Sequence, residues 1–334
     1  MEKEIYEHEA REIFSSESLD NLLQVSLSMS QKKFGKEIDF YAPSFIKYDT
    51  VGLKNDPLDF PAVSVTGRKC ALNCDHCKKH LLETMIPAQT PEKLLEVCMD
   101  LNGRCSRGCL ISGGADPEGM VPLKKFTGAI KQIKEETDLT LAVHTGLIDS
   151  ETAKGLADAR IDIALIDVIG GAETIKNVYH LDAKPADFED SMMYLKKFGV
   201  RIAPHIVIGL NYGKISGEFH ALGMLQKVKP EAIVFVGLMP FKNTPMFSIA
   251  PPKAEDIAKF ISTARLMFPK TPLILGCARN RKDKAELDRL AVKAGINAIA
   301  HPSKTAIEEA EKMGLKINFE PACCAEYALL RGNI

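Results

Sequence analysis

The chain has 334 residues, 46% of them hydrophobic, and a formal net charge of −1. That is apolar material for a large core, long for one ordinary domain but normal for an α/β barrel. There is no basic surplus for nucleic-acid binding, and no apolar run nears the roughly 18 residues of a membrane span.

Met1-Glu2-Lys3-Glu4 opens a charged stretch rather than a secretory leader, so a cytoplasmic protein is expected. Its nine cysteines then point to metal binding or redox chemistry rather than structural bridges. Residues 1 to about 48 lie outside any strand–helix alternation. Two helices are expected there, the second from about Leu19 to Phe34 with Gly35 ending it.

From about residue 60 short β-branched runs alternate with amphipathic helical stretches. The runs are Phe60–Thr66, Cys109–Ser112, Leu139–His144, Ile161–Ile169, Arg201–Leu210, Ala232–Leu238, Pro272–Gly276 and Ala298–His301. Eight such signals imply parallel pairing through right-handed crossovers. The economical closure is a (β/α)8 barrel of TIM type; a doubly wound open sheet is the alternative. Thr90-Pro91 places a capping hydroxyl before a first-turn proline. Leu94, Leu95, Cys98 and Leu101 then share one helix face, as do Leu123, Phe126, Ile130 and Ile133, and Ile257, Phe260, Ile261 and Ala264. Gly199 and Gly295 are placed to end helices. The expected organisation is a helical extension over 1–48, the barrel over 49–304 and a C-terminal helix with a cysteine-containing tail over 305–334.

Directly after the first strand signal comes Cys70-Ala71-Leu72-Asn73-Cys74-Asp75-His76-Cys77, with spacing C-x3-C-x2-C. Three thiolates this close can hold three irons of a [4Fe-4S] cluster and leave the fourth open. A closed zinc site needs four ligands, and only His80 lies near enough in sequence to be the fourth. A disulfide reading is weaker, since the cysteine count is odd. In a barrel of this type the active site lies at the C-terminal ends of the strands. That puts the cysteine loop on the catalytic face, with Gly113-Gly114 following the second strand beside it. A backbone without side chains there admits a close ligand.

The triad with Gly113-Gly114 resembles the radical S-adenosylmethionine (SAM) superfamily. The resemblance implies a [4Fe-4S] cluster at Cys70, Cys74 and Cys77 whose open iron binds SAM, and a 5′-deoxyadenosyl radical made from it. Here the acidic residue of the glycine motif is displaced to Asp116, and His76 stands where the family often has an aromatic. The stretches Phe40-Tyr41-Ala42-Pro43, Phe60 to Gly67, Ile111 to Gly114 and Gly276-Cys277-Ala278-Arg279 look like the biotin-synthase-like branch, and most like the two-subunit lipoyl synthases within it. That likeness implies a sulfurtransferase inserting sulfur into a protein-bound octanoyl chain. Its partners would be a second radical SAM subunit, an octanoylated lipoyl-carrier domain and an electron donor such as ferredoxin or flavodoxin. A biotin-synthase-like enzyme on a small molecule, or one in cofactor maturation, is the alternative; a non-catalytic zinc barrel is the remote one.

Sulfur insertion needs a sulfur source, in related enzymes a second, auxiliary Fe-S cluster. Cys323 and Cys324, in a tail able to fold over the mouth, are the first-choice ligands, with Cys277 at the end of the seventh strand. Cys98 reads as core, and Cys105 and Cys109 lie toward the wrong end of the barrel. Arg279, after the seventh strand, is the candidate catalytic residue. His144, Asp167, His205 and Gly209 at strand ends join Gly113 and Gly114 as candidate cofactor-binding residues. An inward charge at a barrel mouth is costly unless a ligand or ion pairs with it, whereas a lone histidine in a strand is more often a satisfied structural group. The connection from Gly170 to Pro185, with Glu173, Lys176 and Tyr179, reads as a substrate cover or a small extra helix.

Overall fold

The computed structural model describes residues 5–43, 48–50 and 53–331. All eight expected strands form: Ala62–Ser64, Gly108–Ser112, Thr140–His144, Ile163–Leu165, His205–Ile208, Ile233–Gly237, Leu273–Leu275 and Ala298–Ala300. They stand in chain order, and the hydrogen-bonded neighbours pair in parallel. Between the fourth and fifth the ladder thins to isolated bridges, Ala164 to Ile202 and Asp167 to His205. Each strand is followed by a helix. The first of these, Pro91–Gly103, starts where the Thr90 hydroxyl accepts from the Lys93 N–H at 3.2 Å. Its Leu94, Cys98 and Leu101 are buried against the sheet. Gly199 and Gly295 take φ of 78° and 70°, the left-handed backbone that ends a helix at little cost only for glycine.

The two N-terminal helices, Glu7–Ser16 and Leu19–Phe34, form as expected, with Gly35 capping the second. Glu37–Tyr41, which the alternation left in the helical extension, instead joins the sheet. It lies between the eighth barrel strand and a further strand, Lys316–Glu320, parallel to both. The reason is local: Ile38 and Phe40 face the helices while Tyr41 faces the interior, a period-two burial too short to stand out in sequence. Among the described residues no strand pairing closes Lys316–Glu320 onto the first barrel strand. Ion pairs lie near this seam instead, from Arg107 to Glu320 at 2.9 Å and to Glu326 at 3.4 Å. The architecture is a TIM-type barrel with an open seam.

The barrel interior mixes bulky residues such as Leu110, Ile163, Leu165, Val234 and Ile274 with many small ones. Bulky branched residues ordinarily fill such a lumen. Here Ala62, Ala142, Ala203, Ala232, Ala298 and Ala300 face inward, and the same apolar cluster contains Ala322, Cys323, Cys324, Ala325, Tyr327 and Ala328. The C-terminal tail therefore does not fold over the mouth, as its sequence position suggested. It runs inside the barrel, because each alanine leaves space that a chain segment fills.

Candidate active site

The first barrel strand runs into Thr66 and then the cysteine loop, which places the thiols at the C-terminal mouth. The Cys74 and Cys77 sulfurs and a ring nitrogen of His76 lie within 4.8 Å of one another. Cys70 is adjacent: its thiol is turned onto the Leu72 carbonyl at 3.3 Å, and its charge still acts on Cys74. The hydrogen bond between Cys74 and Cys77 pulls the Cys77 thiol down to about 4 against the effect of burial, with His76 assisting. The same bond, with burial, raises Cys74. A thiolate is thus favoured at neutral pH, the state a metal ligand needs.

His80, the imidazole a zinc site would have needed, turns away. It pairs with Glu83 at 3.2 Å and stacks on Phe241. His76 reaches the sulfurs instead, with its ring against Tyr179 at 5.3 Å between centroids and its Nδ1 buried without a partner among the described residues. Two thiols gathered on the loop, with Cys70 adjacent and free to turn toward them, are a donor set that fits a [4Fe-4S] cluster with one iron left for another ligand.

Asp75, which sequence reasoning passed over, anchors this loop. Its carboxylate accepts from the Tyr212 hydroxyl at 3.0 Å and pairs with His180 at 2.9 Å and Lys78 at 3.3 Å. Its N–H donates to the Val178 carbonyl at 2.9 Å. The connection from Gly170 to Pro185 thus packs on the cysteine loop, and it does hold a short helical segment over Ala172–Tyr179. Its only signal in sequence was an acidic residue between two candidate ligands.

Gly113 and Gly114 pass close beneath the triad. The Gly114 N–H donates to the Thr66 hydroxyl at 2.7 Å, and the Ala71 N–H to the Ala115 carbonyl at 2.7 Å. A Cβ on Gly114 would lie 2.1 Å from the Lys69 carbonyl and 2.5 Å from the Cys70 Cβ, so only glycine lets the two loops stack this closely. Asp116 caps its own turn, accepting from the Glu118 and Met120 N–H groups.

Three predicted residues gather at the neighbouring strand ends. His144 pairs with Asp167 at 3.5 Å, and the His144 and His205 rings meet edge to face at 5.8 Å. The Tyr179 hydroxyl donates to Asp167 at 3.5 Å. Burial alone would raise Asp167, but the His144 hydrogen bond and the charges of His144, His205 and His76 hold it at about 2. Burial and the charge of His144 push His205 down to about 4, against the opposing pull of Asp167. At neutral pH this wall presents a carboxylate and a neutral imidazole, acceptors for hydroxyl or amino groups.

Other expected positions change meaning. Gly209 has φ of 84°, and a Cβ there would lie 2.3 Å from Pro252. Its N–H donates to the buried Glu218 at 2.8 Å. Packing accounts for this glycine, and no ligand-facing surface remains. Arg279 is wholly buried. Its guanidinium bonds Asp288 at 2.6 Å and the carbonyls of Ala300 at 2.7 Å and His301 at 3.1 Å, and also that of Gly276. With its donors spent on the seventh and eighth strand ends, it is a structural clamp rather than a catalytic group. Cys98 and Cys109 are buried with sulfurs 3.9 Å apart, and Cys105 is exposed. Cys277 is exposed at the end of the seventh strand, close enough to buried Cys323 and Cys324 for their charges to interact.

A radical SAM superfamily model matches residues 64–216, and a model of the biotin and thiamin synthesis associated domain matches residues 235–325. The chain is 25% identical over 271 residues to biotin synthase of Buchnera aphidicola subsp. Acyrthosiphon pisum (strain 5A), covering 76% of each. It is 24% identical to biotin synthase of Citrifermentans bemidjiense, covering 70% of this chain and 72% of that protein. Its fold resembles methylornithine synthase, with a TM-score of 0.66, 18% identity and coverage of 98% and 97%. It also resembles the [FeFe]-hydrogenase maturase HydG of Carboxydothermus hydrogenoformans, with a TM-score of 0.68, 17% identity and coverage of 98% and 80%. The first model takes in the thiol loop and both acidic and imidazole strand ends, the second the later strands and the lumen tail. Matched in this order along one barrel, the chain belongs to the radical SAM superfamily, in its biotin-synthase-like branch.

Proposed function

We propose that this radical SAM enzyme inserts sulfur at unactivated carbons of a protein-bound octanoyl chain, as a lipoyl synthase subunit working with a second radical SAM subunit. The observation that carries sulfur insertion is that Cys277, at the end of the seventh strand, lies close enough to Cys323 and Cys324 of the interior tail for their charges to interact. These three are the proposed ligands of an auxiliary cluster. The [4Fe-4S] cluster and SAM, held at Cys70, Cys74 and Cys77, supply a 5′-deoxyadenosyl radical when bound. The chain's own residues do the rest. Asp167 is ionised and accepts hydrogen bonds from the cofactor's hydroxyl or amino groups, with His144 fixing its orientation. Gly114 keeps the second-strand backbone against the ligand loop. The alanine-lined lumen with its tail excludes water beneath the reacting centre.

The octanoyl acceptor is what the sequence resemblance of Phe40 to Pro43, Phe60 to Gly67, Ile111 to Gly114 and Gly276 to Arg279 implies. A second reading, sulfur insertion into a free small molecule such as dethiobiotin, is favoured by the curated relatives, which are biotin synthases. One experiment separates them. The chain is reconstituted without oxygen with iron and sulfide, reduced, and given SAM with octanoylated peptide or dethiobiotin, with and without a candidate second subunit. Thiolated octanoyl product supports the first reading, and thiolated dethiobiotin the second. A sulfur-free product with 5′-deoxyadenosine formed removes sulfur insertion while leaving the radical chemistry. Iron near eight per chain supports the auxiliary cluster, and iron near four removes it.

A further inference from the structure

The strand Glu37–Tyr41 brings one more side chain to the interior tail. Tyr41 closes this strand, paired with Ala300 on one side and Glu320 on the other, and its carbonyl accepts from the His301 N–H at 2.7 Å. Ladders on both sides fix the backbone, so the ring cannot retreat. The side chain is wholly buried in the apolar cluster that holds Cys323 and Cys324. Its hydroxyl has no hydrogen-bond partner among the described residues. A buried phenol ordinarily finds one. Left single, it loses its hydration without compensation, and phenylalanine would fill the same space without that loss.

The groups around it do not answer this hydroxyl. Asp39, Glu326, Glu320 and Cys324 lie close enough for their charges to act on Tyr41. Asp39 accepts from the Asn318 side chain at 2.8 Å, and Glu320 pairs with Arg107 at 2.9 Å. Glu326 pairs with Arg107 at 3.4 Å through one oxygen and keeps the other buried and unpartnered, so two single groups in one region leave each other unbonded. Burial, joined by the charges of the three acids, pushes the phenol well above its ordinary range. Tyr41 therefore stays a neutral O–H, a donor and not a phenolate ligand. Of the four neighbours, Cys324 is the one whose acceptor strength a metal would change, since a ligating cysteine is a thiolate.

We propose that the Tyr41 hydroxyl donates a hydrogen bond to the Cys324 sulfur when Cys277, Cys323 and Cys324 hold an auxiliary cluster, and that it thereby raises the reduction potential of that cluster. This rests on the reading of those three cysteines as cluster ligands. The sign follows from charge. Reduction adds one electron to the cluster, and a donor at a ligand sulfur stabilises the more negative state. Tyr41 acts through the ligand, as a positioning residue, and takes no part in making or breaking bonds.

The test uses the full chain, reconstituted anaerobically with iron and sulfide, in a Cys70→Ala, Cys74→Ala, Cys77→Ala background that leaves only the auxiliary site to take up a cluster. Tyr41→Phe is made in this background and also in the wild-type chain, in case loss of the loop thiols disturbs folding. The measurements are iron content, a redox titration followed by absorbance and paramagnetic resonance, and thermal unfolding with and without iron. Tyr41→Phe is expected to take up iron as its parent does. Its midpoint potential falls, so that the oxidised-to-reduced ratio at the parent's midpoint rises roughly tenfold, the worth of one hydrogen bond to a charged group. Without iron it is at least as stable as the parent, since it loses only an unpartnered hydroxyl. An unchanged midpoint in an iron-loaded variant overturns the proposal and leaves the auxiliary cluster standing. An equal loss of stability with and without iron also overturns it, assigning the hydroxyl to a water or to Glu326. Parent chains that bind no iron beyond the loop cluster remove the auxiliary reading itself, and this proposal falls with it.

Discussion

Replacing Gly114 with alanine tests whether the second-strand backbone sets the position of the first thiol. The added Cβ would stand 2.1 Å from the Lys69 carbonyl oxygen, 2.5 Å from the Cys70 Cβ and 2.7 Å from its Cα. All three atoms belong to the ligand loop, and two are backbone. Reaching merely 3.0 Å, below which Cβ contacts are essentially never seen, requires a retreat of about 0.9 Å. Metal–ligand distances tolerate only about 0.2 Å, so the shift is several times what Cys70 can absorb as a ligand. Overpacking of this kind costs about 1–3 kcal/mol, or roughly 2–6 °C in Tm for a chain this large. Gly113 is the internal control: its Cβ would meet the Thr66 side chain at 3.1 Å, a tight but tolerable contact. The assay is iron content after anaerobic reconstitution, with thermal unfolding alongside. Gly114→Ala is expected to lose most loop-bound iron and Gly113→Ala to keep it. A Gly114→Ala protein with wild-type iron and Tm would refute the account of how the two loops fit.

Other outcomes follow from groups buried elsewhere. Burial lifts Glu326 to about 7, with Arg107 opposing and Glu320 and Asp162 assisting. The native state therefore holds a proton that the unfolded chain releases above its usual 4.5. Stability should fall between about pH 4.5 and 7, by on the order of 3 kcal/mol, and level off above; Glu326→Gln should flatten that slope, and an unchanged slope would place the titration elsewhere. Arg279→Met leaves the buried Asp288 with Lys284 as its remaining charge partner beside the Ser303 N–H, and should cost about 3–5 kcal/mol in denaturant unfolding; a variant of normal stability that lost only turnover would restore a catalytic role. Asp75→Ala removes the hydroxyl and imidazole anchors of the loop and should cost roughly 1 kcal/mol or a little more. Its sharper signature is faster loss of iron to a chelator, and equal release rates would count against the anchor.

Much of the barrel was legible because a buried parallel sheet leaves a simple record. Short runs such as Ile233–Gly237, apolar on both faces, alternate with helices whose Leu94, Cys98 and Leu101 or Ile130 and Ile133 fall on one side. The thiol triad was legible because its ligands sit within eight residues. The strand Glu37–Tyr41 was not, since five residues give too short a period and its partners lie about 260 to 280 positions away. The role of Arg279 was hidden for the same reason. Asp288 and the Ala300 and His301 carbonyls reach it only through folding, and a charge at a strand end reads alike whether a ligand or a clamp neutralises it. Gly209 looked like a ligand-facing glycine until Pro252 was seen above it. The inward alanines were in plain view but meaningless until the tail was found among them.

That tail also sets an order on assembly. Ala322 to Ala328 share one apolar cluster with Ala62 and Ala142, well over 150 residues earlier in the chain, and contacts of such high sequence separation form late and slowly. A nascent chain that has reached Glu320 has all its barrel strands and still lacks the filling of its central layer. It would wait as a loosely packed, aggregation-exposed intermediate. Once the tail is in place, Arg107 holds both Glu320 and Glu326, near the seam where, among the described residues, no strand pairing joins Lys316–Glu320 to Ala62–Ser64.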